Sequence, residues 1–198
     1  MPPAIVLASA SPIRATLLRN AGVEVTIAPV RIDEEMIRDS LLAESAKPRD
    51  IADTLAETKA LRAKASPGAF VIGCDQVLDF QGEVWVKPAT RDVARQQLAT
   101  LRGQTHSLLS AIVIVQDGQP LWRHLATARL TMRAVSESYL DGYLDRNWPQ
   151  IGGSVGAYQI ESEGIRLFSR IEGDYFTILG LPLLPLLDYL SLRQAIPA

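Results

Sequence analysis

The chain has one cysteine, Cys74, and two histidines, His106 and His124, in 198 residues. A lone cysteine forms no internal disulfide, which suits a reducing compartment. The two histidines stand apart, so there is no Cys/His cluster of the kind that holds zinc. Long apolar runs are missing too. No uninterrupted stretch reaches the roughly 18 residues of a membrane-spanning helix, and the nearest, LGLPLLPLLDYLSL, is broken by prolines and an aspartate. No basic residue precedes AIVLA near the N-terminus, and that run is too short for a secretory signal. An excess of either charge is absent: the formal net charge is −2, which leaves no global basic field for a nucleic-acid polymer. The glycine and lysine spacing of a P-loop does not occur. The expectation is a cytoplasmic protein with neither a membrane nor a nucleic-acid polymer as partner.

What is present is the composition of a folded globular chain, 47% hydrophobic and 21% charged. The length suits one domain, or two small lobes sharing a cleft. Ala4–Ala8 reads as a buried strand. Ser11 then stands where a helix cap belongs, with Pro12 at the first helical position. Ile13, Leu17 and Leu18 fall on one helical face, and Gly22 suits the helix end. Val23–Val30 reads as a second strand, and the acidic IDEEMIRDS as irregular. A longer helix is expected from Pro48 to about Ala65, with Ile51, Leu55 and Leu61 toward the core. Phe70–Cys74 reads as a third strand, and VLDFQGEVWVKP as a hairpin around Gln81-Gly82. Thr90 caps a helix over Arg91–Leu101 that stops at Gly103. HSLLSAIVIVQ and LWRHLATARLTMR, joined around DGQP, read as two long paired strands. Ser136 opens a helix to about Arg146, GGSVGAY reads as a flexible loop, and a final helix starts near Pro182. Hairpins and crossovers together predict a mixed, twisted α/β sheet with helices on both sides, in one domain over residues 1–198 with two lobes around a central cleft.

Polar residues recur where the apolar segments end. Ser9, Ser11 and Arg14 follow the first strand; Asp33, Glu34 and Glu35 follow the second; Asp75 and Gln76 follow the third. Ligands of α/β sheets collect at such strand ends. Serine hydroxyls and an arginine at a helix N-terminus suit a phosphate group. Lys59 and Lys87 can neutralise a polyphosphate, and carboxylates beside phosphates favour a divalent cation, most often Mg²⁺. Asp75, between VIGC and VL, must sit at a strand end or be paired. Cys74 reads as packing beside it.

The ordered blocks LASASPIRATLL, IDEE, LAETKA, GCDQV, EVWVKP, LATLRGQTHSLLSAIVIV, VGAYQIESEG and IEGDYFTILGLPL make the chain resemble the Maf family of nucleoside triphosphate pyrophosphatases nearly end to end. The resemblance implies a mixed α/β fold of the Maf and inosine-triphosphatase kind. It also implies hydrolysis of a nucleoside triphosphate to monophosphate and pyrophosphate, a divalent cation (Mg²⁺ or Mn²⁺) and a homodimer. Asp75 matches the family's proton acceptor, and Asp75 and Glu34 are its candidate metal ligands; base and ligand are not separable for Asp75 at this stage. Ser9, Ser11, Arg14, Lys59 and Lys87 match the triphosphate-binding positions.

Three positions that distinguish subtypes fall on Ile13, Gln76 and Glu161. Glutamine and glutamate at the second and third resemble the 7-methyl-GTP pyrophosphatase subtype, whereas the dTTP/UTP subtype carries threonine and glutamine there. Ile13 stands where the former has tryptophan, and VGAYQI looks like the latter. A guanine edge offers two adjacent donors that the Glu161 carboxylate can accept. The expected substrate is therefore 7-methyl-GTP. The alternatives are dTTP/UTP, other non-standard nucleotides such as inosine triphosphate, and a nucleotide-binding regulator of septum formation.

Overall fold

Ile5–Leu7 (β1) is buried at every position, and Pro12–Asn20 (α1) follows it with Ala15, Leu17 and Leu18 inward and Ile13 half-buried. The computed structural model describes residues 2–197. The remaining elements are Thr26–Ile27 (β2), Glu34–Ala43 (α2), Pro48–Arg62 (α3), Phe70–Phe80 (β3), Glu83–Trp85 (β4), Arg91–Leu101 (α4), Thr105–Gln116 (β5), Gln119–Met132 (β6), Glu137–Asn147 (α5), Phe168–Glu172 (β7), Tyr175–Ile178 (α6) and Leu183–Leu192 (α7). Short 3-10 turns occupy Gln150–Gly153, Val155–Ala157 and Glu163–Leu167. Among the described residues no helix is long and apolar enough to cross a membrane.

The strands form one mixed seven-stranded sheet in the order β2-β1-β3-β5-β6-β7, with β4 on β3. β1 runs parallel to β2 and β3, while β3–β4 and β6–β7 are antiparallel. This is the mixed α/β sheet expected from the sequence. The tight turns at Gln81-Gly82 and Asp117-Gly118 have positive φ at both central residues, the twist that suits a two-residue hairpin. The described chain makes two compact units. The first takes the chain through Gln76, Leu109–Ala126 and the stretch from Asp174 on; the second takes Val77–Leu108 and Thr127–Gly173.

Several local expectations change. Of Val23–Val30 only Thr26–Ile27 joins the sheet. IDEEMIRDS is not irregular: Asp33 accepts a hydrogen bond from the Met36 N–H at 2.9 Å and starts α2, with Glu34 and Glu35 favourably placed in the first turn. No residue of α2 is buried, so it has no apolar stripe to read. In α3, Ile51 and Leu55 are buried but Leu61 is exposed. GGSVGAY is no open loop: it winds through two 3-10 turns that bury Ile151, Gly156 and Ala157. Its GGSVG has G-x-S-x-G spacing, but Ser154 lies between those turns and not on the strand-to-helix elbow of a serine hydrolase.

Candidate active site

Successive side chains of a strand leave it on opposite faces, and β3 uses this at adjacent positions. Asp75 faces α3, where the Lys59 Nζ donates to its Oδ1 at 2.6 Å. The same ammonium lies 2.8 Å from Oε1 of Glu34, the first residue of α2. One lysine thus bridges two carboxylates. Lys59 and Asp75 are buried, whereas the Glu34 side chain is half exposed. Gly73, on the same face of β3, makes this reach possible, because it lets the Ala56–Ala60 turn of α3 close directly onto the strand.

Burial and charge compete in this cluster. Burial opposes the Lys59 ammonium, but the charges and hydrogen bonds of Asp75 and Glu34 outweigh it and hold the lysine above its ordinary pKa. For Asp75, burial is the largest influence and pushes the carboxyl up, against Lys59 and Arg14 and with some help from Glu34. The outcome is a fixed carboxylate of raised proton affinity. Oδ1 is committed to Lys59; Oδ2 takes no hydrogen bond among the described residues. Beside it the Cys74 thiol is wholly buried, and burial pushes it up to about 11, which suits packing and not nucleophilic attack.

Arg14, from α1, is held on three sides. Its Nε donates to the Gly180 carbonyl at 2.8 Å, and its Nη1 to Ser9 Oγ at 3.1 Å and to the Cys74 carbonyl at 3.0 Å. The buried Ser9 hydroxyl oxygen also accepts the Ser11 N–H at 3.2 Å. Ser11 occupies the cap position before Pro12, but its side chain makes no capping bond; its N–H turns back to Ser9 instead. Gly180 was not visible as a site residue in the sequence. It has φ +86°, and a Cβ there would come within 3.0 Å of Arg14 Nη2.

The register explains why Arg14 is needed. β1 stops at Leu7 opposite Ile72, and the Ala8 N–H takes the Ile72 carbonyl at 2.8 Å. β4 joins β3 only from Leu78 on. Between them, Gly73–Val77 has no strand partner on this edge among the described residues. Carbonyls two apart in a strand point the same way, so the Cys74 carbonyl would be left open beyond Ile72. The Arg14 guanidinium satisfies it.

Gln76 faces away from Asp75. Its Nε2 donates to Ser110 Oγ of β5 at 2.9 Å, and to the Thr177 and Ile178 carbonyls of α6 at 3.0 Å each. Lys87, just after β4, and Glu161, in the turn before the last 3-10 turn, are exposed residues of the second unit. The structure therefore groups Ser9, Arg14, Glu34, Lys59 and Asp75, with Ser11 bonded to Ser9. It leaves Ile13 on α1 and Gln76 on the other face of β3.

Asp75 and Glu34 supply hard oxygen donors, the kind Mg²⁺ and Mn²⁺ take, usually one or two carboxylates completed by substrate phosphates. No group of three or more His, Cys, Asp or Glu side chains able to hold an ion occurs among the described residues. The two carboxylates offer at most part of a cation site, and Asp75 Oδ1 and Glu34 Oε1 are both held by the Lys59 ammonium. His106 takes no part: it is buried in the second unit with Nε2 2.7 Å from the Tyr158 hydroxyl.

Residues 4–193 match the family model described as Maf-like protein. A nucleoside triphosphate pyrophosphatase of Roseobacter denitrificans is 57% identical over 198 residues, all of both chains. One of Ruegeria pomeroyi is 55% identical over 97% of each chain. A 7-methyl-GTP pyrophosphatase of Brucella abortus is 47% identical, again over 97% of each.

Proposed function

The chain belongs to the Maf family, and from that premise we propose that it is a nucleoside triphosphate pyrophosphatase, a hydrolase that converts 7-methyl-GTP to the monophosphate and pyrophosphate. The reading is carried by one observation: a buried carboxylate, Asp75, held through one oxygen by Lys59 beside an arginine and two serines.

Water attacks the α-phosphorus, the P–O bond to the departing pyrophosphate breaks, and the water's proton passes to Asp75. A carboxylate raised by burial is the stronger base for that transfer. Lys59 fixes its direction, which leaves Oδ2 for the water. Arg14 keeps Nη2 for a phosphate oxygen while its other nitrogens bind the protein, and the hydroxyls of Ser9 and Ser11 donate to the same triphosphate. Lys87 carries over from the family pattern as a further triphosphate contact. Where Asp75 instead serves with Glu34 as a metal ligand, a divalent cation held there would supply screening of the triphosphate's charge.

Base choice is assigned to Gln76, Glu161 and Ile13. Glu161 accepts from the exocyclic amino group of the guanine edge, beside the ring N–H, and N7 methylation adds a positive charge that a carboxylate favours. The name of the Brucella relative points the same way. Steady-state kcat/KM for 7-methyl-GTP, GTP, UTP and dTTP tests the reading; a preference for UTP or dTTP overturns the base assignment. Asp75→Asn releasing pyrophosphate at the wild-type rate would overturn the catalytic one.

A further inference from the structure

We propose that Ser110 is a positioning residue that locks Gln76 as a hydrogen-bond acceptor toward the base. The site then takes nucleotides whose base carries a ring N–H, as guanine and uracil do. It turns away adenine and cytosine, whose ring nitrogen at that place is a bare lone pair. The inference rests on the reading of Gln76 as base-facing.

A glutamine amide has two N–H donors and one carbonyl acceptor, and rotation by half a turn exchanges them. In Gln76 that exchange is blocked. The Nε2 faces three oxygens, two of them the Thr177 and Ile178 carbonyls, which carry no proton and repel a second carbonyl. The third, Ser110 Oγ, spends its own proton on the Thr177 carbonyl at 2.8 Å. Toward Gln76 the serine is therefore an acceptor as well. Ser110 and Thr177 have no exposed surface, so water does not replace these partners. Thr177 is itself fixed: its N–H donates to Asp174 Oδ1 at 2.8 Å and its hydroxyl to Asp174 Oδ2.

All the donors of the amide thus face inward. Its Oε1 takes no hydrogen bond among the described residues and is not sealed from solvent. An acceptor fixed in this way pairs with a ring N–H. Against a bare ring nitrogen it meets lone pair with lone pair, and it cannot turn over to relieve the clash. Leaving a buried donor or acceptor unpaired costs enough to matter for selectivity.

The test is a double-mutant cycle read in selectivity. The kcat/KM ratios of GTP over ATP and of UTP over CTP are measured for the wild type, Ser110→Ala, Gln76→Ala and the double variant. Wild type is expected to favour the N–H bases. Ser110→Ala is expected to lower both ratios about threefold, because the Nε2 loses one of its three acceptors while the two carbonyls stay, and Gln76→Ala by more. The double variant should match Gln76→Ala alone, because Ser110 acts through Gln76. If Ser110→Ala does not fold, Ser110→Cys, with its weak donor and acceptor, takes its place in the cycle. The proposal is overturned if the ratios stay unchanged, if all four substrates fall in equal proportion, if the losses add in the double variant, or if wild type takes ATP and CTP as well as GTP and UTP. A wild-type preference for UTP over 7-methyl-GTP would overturn the base assignment above, while coupling in the UTP over CTP ratio would still support the lock.

Discussion

Gly73 and Ala56 meet backbone to backbone: a Cβ on Gly73 would lie 2.0 Å from the Ala56 carbonyl oxygen. No rotamer change relieves such a clash, because the atom it meets belongs to the main chain of α3. Gly73→Ala therefore forces the helix off the strand and carries Lys59 away from Asp75. Stability should fall by about 1–3 kcal/mol or more, and kcat should fall further than the loss of folded protein explains. Urea midpoints and active-site-normalised turnover check the two parts separately.

Removing the ammonium has a signed effect on pH dependence. Lys59 acts to lower the Asp75 pKa, against the burial that raises it. In Lys59→Met the carboxyl rises further, so the acid limb of kcat/KM moves to higher pH. The same variant leaves a buried carboxylate without its partner, which costs on the order of 3–5 kcal/mol while Asp75 is ionised. A raised carboxyl keeps its stability below the unfolded pKa and loses it as pH rises through the folded one. The defect should shrink when the pH is lowered enough to protonate Asp75. Denaturation at several pH values beside the pH–rate profile measures both.

A second titration sits in the other unit. Burial lowers the His106 pKa from 6.5 to about 4. The unfolded chain takes up this proton first, so the stability present above about pH 6.5 drains away as the pH falls toward 4. The shift corresponds to about 3 kcal/mol in total. His106→Gln does not titrate and keeps a polar partner for the Tyr158 hydroxyl. Its urea midpoint should change less between pH 7 and pH 4.5 than that of the wild type.

Arginine and lysine are not equivalent at position 14. The guanidinium serves Gly180, Ser9 and Cys74 from two nitrogens, and its third makes no hydrogen bond among the described residues. A single ammonium cannot match that fork. Arg14→Lys should lower the melting temperature and raise KM for the triphosphate despite unchanged charge. Calorimetry and kinetics on the same preparation decide it; a wild-type KM would remove Arg14 from substrate binding.

How much of this was legible beforehand depended on how local the signal was. Thr90 caps α4 by accepting from the Val93 N–H, and Ser136 caps α5 by accepting from the Tyr139 N–H, both as their sequence positions suggest. The hairpins followed from Gln81-Gly82 and Asp117-Gly118. Asp75 stood out because a carboxylate among apolar residues needs a partner. The helix α2 was missed because it buries nothing, so periodicity is silent about it. Gly180 was invisible because it meets Arg14 across 166 positions of chain, and Ser110 because it meets Thr177 across 67. Ser11 has the residue type of a cap, yet its side chain caps nothing, and its backbone N–H donates to Ser9. Residue type marks a position as available for a bond; only the fold decides which partner arrives.

The solitary thiol at position 74 gives the molecule a built-in chronometer. It is sealed from solvent, stays protonated at neutral pH, and adjoins Asp75 in the chain. An alkylating reagent can reach it only when the strand carrying Asp75 breathes open. With no other cysteine to compete for the label, the speed of modification reports the population of that open form when reclosing outpaces labelling. A bound triphosphate that braces the strand would slow the clock.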